Sequence, residues 1–189
     1  LVQAAAIRAL ARWGDPADAP LIASNLDHPN VQVRWEAAKG LQRLHEPAVV
    51  PSLLSVLDNE EENTDVRVAA ATALGQYAQD RVFQGLVAAL DARPVAVNLA
   101  EQESLRTLTG HTFELEPRAW LAWYGEAEAP FAEQQDFLYP TYQRDESWLE
   151  QLVFWDVRVE EQPSLPAGLS SRGERRTYEE GDNDPGGAG

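Results

Sequence analysis

The side chains best suited to catalysis or metal binding are scattered along this sequence. Its three histidines, His28, His45 and His111, fall in three different predicted loops. A recognisable metal-binding pattern is two histidines at positions i and i+4 of one helix, and this sequence has none. The chain has no cysteine, which excludes disulfides, thiolate ligands and a cysteine nucleophile. We therefore predict no metal site, no cofactor and no catalytic residue, and we interpret the chain as a protein that is not an enzyme.

Charge is the second chemical feature. The 189 residues include 31 acidic and 15 basic side chains, which gives a formal net charge of −16. So acidic a surface repels phosphate backbones, and we expect no nucleic-acid partner. The sequence contains no apolar run of about 18 residues, so we expect no transmembrane segment in this chain. The chain starts inside a helical pattern and has no methionine. We expect that an N-terminal targeting segment is missing, which leaves the localisation unknown.

The elements that carry these side chains form a repeat. A pattern of apolar and small residues occurs four times, with copies that begin at Val2, Val33, Val66 and Val97. Within a copy, apolar residues such as Ala37, Leu41 and Leu44 recur at helical spacing and form one stripe. A second apolar element ending in Leu-Asp separates successive copies. One helix pair cannot bury its stripe alone, so stacked pairs must share a core. The prediction is an all-α fold, an α-solenoid of about four helix pairs over residues 1–110.

The repeat resembles a known family. A Leu-Asp pair followed by Pro-Asn-Val-Gln-Val-Arg-Trp-Glu-Ala-Ala-Lys-Gly-Leu, residues 29–41, is similar to HEAT repeats of the short bacterial type, also called phycobilisome-lyase-like. The resemblance covers residues 1 to about 110. Proteins of this family include scaffolds, adaptors and a few enzymes, so the fold alone does not define the function. The resemblance therefore implies a HEAT-repeat solenoid and leaves its task open.

The resemblance also implies a ladder of hydrogen bonds between units. In such repeats the aspartate before the second helix and the arginine at its start usually form this ladder, which runs from unit to unit. Arg34 and Arg67 match the arginine, whereas Gln3 and Asn98 replace it in the outer copies, so we expect a weaker ladder at both ends. The matching acids are Asp27, Asp58 and Asp91.

Two kinds of enzyme contain such repeats. The first is the phycobilin lyases, so a chromophore-handling role stays an alternative by resemblance alone. Deoxyhypusine hydroxylase, which is built on HEAT repeats, holds a di-iron centre with several His-Glu pairs. This chain has one such pair, His45-Glu46, and the equivalent positions of the neighbouring units are Gly14-Asp15 and Ala78-Gln79. A single pair cannot assemble that centre, so we do not assign the hydroxylase activity.

The C-terminal third changes character. Residues 111–130 predict a capping helix, in which Trp120, Trp123 and Tyr124 cover the apolar end of the last repeat. The ending Leu-Thr-Gly, residues 108–110, followed by Trp-x-x-Trp is similar to HEAT-repeat proteins of bacterial envelopes, some of them lipoproteins. This resemblance implies a location in the bacterial cell envelope.

The remaining residues divide into two predicted segments. Residues 131–162 are too rich in aromatic side chains for a free linker and predict an extended strap with a short helix over 147–155. There are three alternatives for this strap: it packs along the solenoid, on a protein partner or on a membrane. Residues 163–189 combine glycine, proline and charged residues and predict a flexible, disordered acidic tail.

The second helices carry the candidate binding surface. In the family they line the concave face of the solenoid, and position +2 of the four copies reads Ala4, Trp35, Val68 and Leu99, an apolar stripe. Basic residues cluster in the first two copies. The predicted partner-binding residues are Arg8, Arg12, Arg34, Trp35, Lys39 and Arg43. We predict a non-catalytic protein-interaction scaffold that binds an acidic peptide. The alternatives are an ordinary solvated face, a groove for the chain's own acidic tail, and an accessory subunit of a larger complex.

Overall fold

The chain folds into a helical solenoid, which confirms the predicted fold class. The computed structural model describes residues 2–91, 94–140 and 163–171, and in these ranges it contains eight α-helices. None of the helices within these ranges is both long and apolar enough to cross a bilayer. The helices are α1 Val2–Trp13, α2 Ala19–Ala23, α3 Val31–Gly40, α4 Val50–Asp58, α5 Thr64–Leu74, α6 Asp80–Ala89, α7 Val95–Thr109 and α8 Pro117–Glu126.

The first seven helices form two layers. Helices α1, α3, α5 and α7 pack side by side in chain order and form the second-helix layer. Helices α2, α4 and α6 cover one side of it and form the first-helix layer. The predicted stripe lies between the layers, because Val33, Ala37, Leu41 and Leu44 are all buried. The helical register predicted from the sequence is therefore confirmed.

Local sequence signals fix where the helices begin and end. Asn30 and Asn63 precede α3 and α5, and each side chain accepts a hydrogen bond from a backbone N–H in the first turn. Glu46 caps the short 3₁₀ helix Pro47–Val49 in the same way. Helix α7 ends at Thr109 and is followed by Gly110, whose φ of +75° lies in the left-handed region that a glycine adopts without strain.

At Arg34 the observed contacts differ from the predicted Asp–Arg ladder. Arg34 pairs with Glu62, with 2.7 Å between Nε and Oε2, and it also donates to the carbonyl of His28 at 2.8 Å. Arg67 is buried and donates to the carbonyl of Leu57 at 3.1 Å. The acid that pairs with Arg34 is therefore Glu62 and not one of the three predicted aspartates. The loop before α5 is longer than its equivalents and reaches Arg34 with Glu62, which offers two oxygens to its guanidinium.

Helix α8 covers the end of the last helix pair. Trp120 is fully buried, and its indole N–H donates to the carbonyl of Glu114 at 3.1 Å. Its ring meets Phe113 edge to face, with 4.9 Å between the centroids. Tyr124 stacks on Phe83 of α6 at 4.1 Å. The rings of α8 thus cover apolar surface that α6 would otherwise expose.

The C-terminal segments return to the solenoid. The backbone N–H of Gln135 donates to the carbonyl of Thr107 at 2.7 Å, so the start of the predicted strap packs on the end of α7. Residues 163–171 contact the turn after α3, where Ala167 forms two backbone hydrogen bonds. Backbone hydrogen bonds thus join part of the predicted tail, residues 163–171, to this turn. The predicted short helix over 147–155 and residues 172–189 lie outside the described residues.

Candidate partner-binding groove

A polar cavity of about 270 Å³ lies between α1 and α3. We call it the groove. Glu36, Gln42 and Pro140 contribute to its wall. Five of the six residues predicted for partner binding also line it, namely Arg8, Arg12, Trp35, Lys39 and Arg43. The structure thus brings together side chains from two repeats that sequence spacing alone placed on one face.

Helical periodicity explains how these side chains meet. Arg8 and Arg12 lie one turn apart on α1, and Trp35 and Lys39 lie one turn apart on α3. The ammonium of Lys39 sits 4.1 Å from the centroid of the Trp35 ring. This cation–π geometry holds the positive charge against the aromatic face at the groove wall.

Arg34, the sixth predicted residue, does not line the groove. Its guanidinium is held by Glu62, and this ion pair raises the pKa of Arg34 above its usual value. The carbonyls of His28 and Pro29 accept further bonds from the same side chain. Arg34 therefore links two units of the solenoid, and its charge is compensated within the chain.

Glu36 is a feature of the groove that the sequence analysis missed. Its side chain is buried and accepts two hydrogen bonds from Arg8, one of them with 3.2 Å from Nε to Oε2. The hydrogen bond to Glu36 raises the pKa of Arg8. Arg8 is thus neutralised by an acid of the next unit. The periodicity of α1 or of α3 could not reveal this pair, because the two residues lie 28 positions apart on different helices.

The C-terminal segment supplies one rim of the groove. The guanidinium of Arg43 lies over the ring of Tyr139, 4.5 Å from its centroid, and Pro140 lines the cavity. Tyr139 and Pro140 both belong to the predicted strap. The only sequence signal for this placement was the high density of aromatic residues, which indicated packing but not its location.

The predicted apolar stripe is only partly exposed. Ala4 is buried, and Trp35 and Val68 are half-buried and pack against the core. Leu99 remains exposed, at 54% of its surface. The stripe is therefore not a continuous apolar surface, because close packing of neighbouring second helices covers most of position +2.

The histidines are engaged in local packing. The Nδ1 atom of His28 accepts a bond from the backbone N–H of Asn30 at 3.0 Å. The ring of His45 stacks on Tyr77 at 4.8 Å, and the ring of His111 lies 4.6 Å from that of Trp123. Across residues 2–91, 94–140 and 163–171 there is no group of three or more histidines and carboxylates placed to hold a metal ion.

Comparison with known proteins defines the class. The family model described as HEAT repeats matches residues 1–64 and 19–106, which together span more than half of the chain. The chain belongs to the HEAT-repeat family. It is also similar to deoxyhypusine hydroxylase of Candida albicans (strain SC5314 / ATCC MYA-2876), with 39% identity over 75 residues. These residues are 39% of this chain and 24% of that protein, so the chain spans about a quarter of the length of the relative it matches.

The relative corrects one prediction. The prediction that the chain is not an enzyme is overturned, because a named enzyme shares the matched repeats. One His-Glu pair is a poor basis for that prediction, because the chain covers only part of such an enzyme. The match supports HEAT repeats in general, and the bacterial, lyase-like and lipoprotein-like subtypes remain predictions.

Proposed function

We propose that this chain is a protein-binding module that holds an acidic peptide segment of a partner in the groove. HEAT repeats act in general as scaffolds for protein interactions. The observation that carries the proposal is the convergence of Arg12, Lys39 and Arg43 around Trp35 in a protein whose net charge is −16. An aromatic anchor surrounded by basic groups is a common composition for interface hot spots.

The charge distribution favours one site over the rest of the surface. An acidic peptide is repelled by most of a chain with a net charge of −16 and is attracted where the basic side chains converge. Besides Arg8, which pairs with Glu36, the groove is lined by the positively charged side chains of Arg12, Lys39 and Arg43. We therefore assign these three side chains to carboxylate recognition and Trp35 to apolar contact.

The size of the groove limits what it holds. Its volume of about 270 Å³ is below the usual range for a drug-sized ligand, which is roughly 300 to 1,000 Å³. The groove is large enough for one or two side chains. A bound peptide would therefore insert an acidic or apolar anchor here and lie along the second-helix layer on either side.

Hydrogen exchange of the full chain tests the proposal. The probe is a short labelled peptide of alternating glutamates and leucines, and the control peptide replaces each glutamate with lysine. We expect the glutamate peptide to slow amide exchange in α1 and α3 and to leave α4 and α6 unchanged. Protection confined to the first-helix layer, or equal protection by the lysine peptide, would contradict the proposal.

The hydroxylase relative favours a second candidate function. The observation is the 39% identity over 75 residues to a protein named deoxyhypusine hydroxylase. The ring of His45 is oriented by Gln76, whose Oε1 lies 3.2 Å from Nδ1, and it stacks on Tyr77. The test is mass spectrometry of a deoxyhypusine-containing protein after incubation with the chain and iron. A mass increase of one oxygen atom would support this candidate.

The wider setting of the chain is also a proposal. An accessory role in a larger complex is the alternative form of the binding function, and co-purification from the native source tests it. The bacterial cell envelope is the proposed location, based on the resemblance of the C-terminal ending. Fractionation of the native source, with detection of the full-length protein, tests the location.

A further inference from the structure

Residues 163–171 lie along the turn after α3 like a bound peptide. The backbone N–H of Ala167 donates to the carbonyl of Arg43 at 2.8 Å. The N–H of His45 donates to the carbonyl of Ala167, also at 2.8 Å. Leu44 and Ala167 thereby form a parallel β-bridge. Paired backbone bonds of this kind are how many proteins bind an extended peptide.

The fit at this place depends on particular residues of the peptide. Pro166 is buried, and Gly168 has a φ of +88°, which residues with a side chain rarely adopt. A Cβ atom at Gly168 would lie 2.6 Å from Cγ of Pro16 and 3.2 Å from the carbonyl oxygen of His45. The proline ring and the backbone cannot move aside at low cost. The peptide therefore needs glycine directly after the paired residue.

The same peptide is joined to the rim of the groove. The backbone N–H of Tyr139 donates to the carbonyl of Ser164 at 3.1 Å. The hydroxyl of Ser164 donates to the hydroxyl of Tyr139, whose ring lies against Arg43. The contacts at Ala167 and Ser164 thus place residues 135–140 beside the groove.

We propose that the backbone of residues 43–45, together with Pro16, is a docking site for an extended uncharged peptide. We call it the edge site. Its occupant in the free chain is residues 163–171, with the pattern Leu-Pro-Ala-Gly-Leu at 165–169. This proposal is separate from the binding of an acidic ligand in the groove, because the recognition elements are backbone groups, a buried proline and a glycine, and the occupant has no charged residue.

Tethering explains why the site is filled in the free chain. The occupant belongs to the same polypeptide, so its effective concentration at the edge site exceeds that of a dilute separate peptide. A weak intrinsic affinity then suffices for nearly full occupancy. A second peptide of the same sequence must compete with this tethered copy, and it will bind well only where the tethered copy has been released.

The experiment uses full chains and a labelled synthetic peptide of residues 163–171. Gly168→Val releases the tethered copy, because its Cβ meets Pro16. Ser170→Val, at an exposed position two residues later, is the matched control. We expect the peptide to bind Gly168→Val at least about tenfold more tightly than it binds the wild type or Ser170→Val, since only the first has an open edge site. A peptide carrying the Gly→Val change should not bind.

A second variant distinguishes release of the tethered copy from a general folding defect. Ala167→Pro removes the N–H that donates to Arg43 and should release the tethered copy by a different route. Both variants should keep the slow amide exchange of α5 and lose protection at His45. Equal peptide binding to all the chains, or protection of His45 that survives in both variants, would overturn the proposal. Neither result bears on the acidic ligand, because the probe peptide carries no charge.

Discussion

Trp35 is the single residue on which the proposed binding most depends. Its ring forms part of the groove wall and carries Lys39 on its face. We expect Trp35→Ala to weaken binding of the glutamate–leucine peptide by about 2 kcal/mol, the loss typical of an interface hot spot. Fluorescence anisotropy measures the affinity. Leu121→Ala, at an exposed leucine of α8, is the control and should bind as the wild type does. Unchanged binding by Trp35→Ala would remove the ring from the binding site.

Glu101 is a residue that links stability to pH. It is buried on α7, and its two carboxylate oxygens have no hydrogen-bond partner among the described residues. Burial raises the pKa of Glu101 to about 7, although the positive charge of Arg67 opposes this rise. An unfolded chain releases this proton near the ordinary pKa of 4.5. The folded state thus holds a proton that the unfolded state has lost, and stability falls as pH rises from about 4.5 to about 7.

The variant Glu101→Gln tests this pH dependence. Its free energy of unfolding should fall less than that of the wild type between pH 4.5 and pH 8, by roughly 2 kcal/mol. Urea unfolding at several pH values gives this difference, in which the other titrating groups largely cancel. Leu99→Ala on the same helix is the control, because that exposed position carries no titratable group, and the variant should keep the pH profile of the wild type. Parallel profiles for Glu101→Gln and the wild type would show that Glu101 ionises normally.

At the residue scale, the sequence indicated which side chains share a helix face, but it did not indicate which side chains pair with each other. The spacing of Arg12, Lys39 and Arg43 placed them on one face, because helical periodicity is a local property. The pairing of Arg8 with Glu36 and of Arg34 with Glu62 joins residues of neighbouring units. Such contacts depend on loop length and on how closely the helices pack, and neither can be read from one repeat.

At the scale of the elements, the stability of the fold depends on the core that the second helices share. Leu41 and Leu74 occupy equivalent positions at the ends of α3 and α5, and both are fully buried. Truncation of either to alanine should cost about 2 to 5 kcal/mol, because a cavity is added to the lost apolar transfer. Urea unfolding of each variant measures the cost. The control is Leu99→Ala, an exposed leucine on α7 that should cost less than about 1 kcal/mol. A loss below about 1 kcal/mol at Leu41 or Leu74 would mean that the helical register is wrong.

Helices could be predicted from this sequence because their signals are local. Asparagine caps, prolines near helix starts and the apolar stripe all lie within a few residues of the elements they define. The segment 163–171 was assigned to a flexible tail because it has the composition of one. Backbone hydrogen bonds hold this segment against Arg43 and His45, which are more than 100 positions away along the chain. Composition carries no information about such a contact.

At the scale of the whole molecule, the cap completes the solenoid. Phe83 is fully buried, and its ring meets those of Trp120 and Tyr124 from α8. A chain that ends at Gly110 should expose this end of the core and aggregate, because terminal repeats need a shielded outer face. Light scattering detects the aggregation. The variant Ala122→Ser, at an exposed position of α8, keeps the cap and should stay monodisperse. A monodisperse truncated chain of unchanged stability would assign the rings of α8 to partner binding instead.

The central claim is that the groove attracts an acidic ligand to an otherwise acidic protein, and charge reversal tests it most directly. The measurement is the dissociation constant of the glutamate–leucine peptide for Lys39→Glu and Arg43→Glu at two salt concentrations. Arg118→Glu, at an exposed position of α8 outside the groove, carries the same change in net charge and serves as the control. The account predicts that both groove variants bind about tenfold more weakly at low salt and depend less on salt, whereas the control binds nearly as the wild type. Equal weakening in all three variants, or wild-type binding by both groove variants, would contradict it.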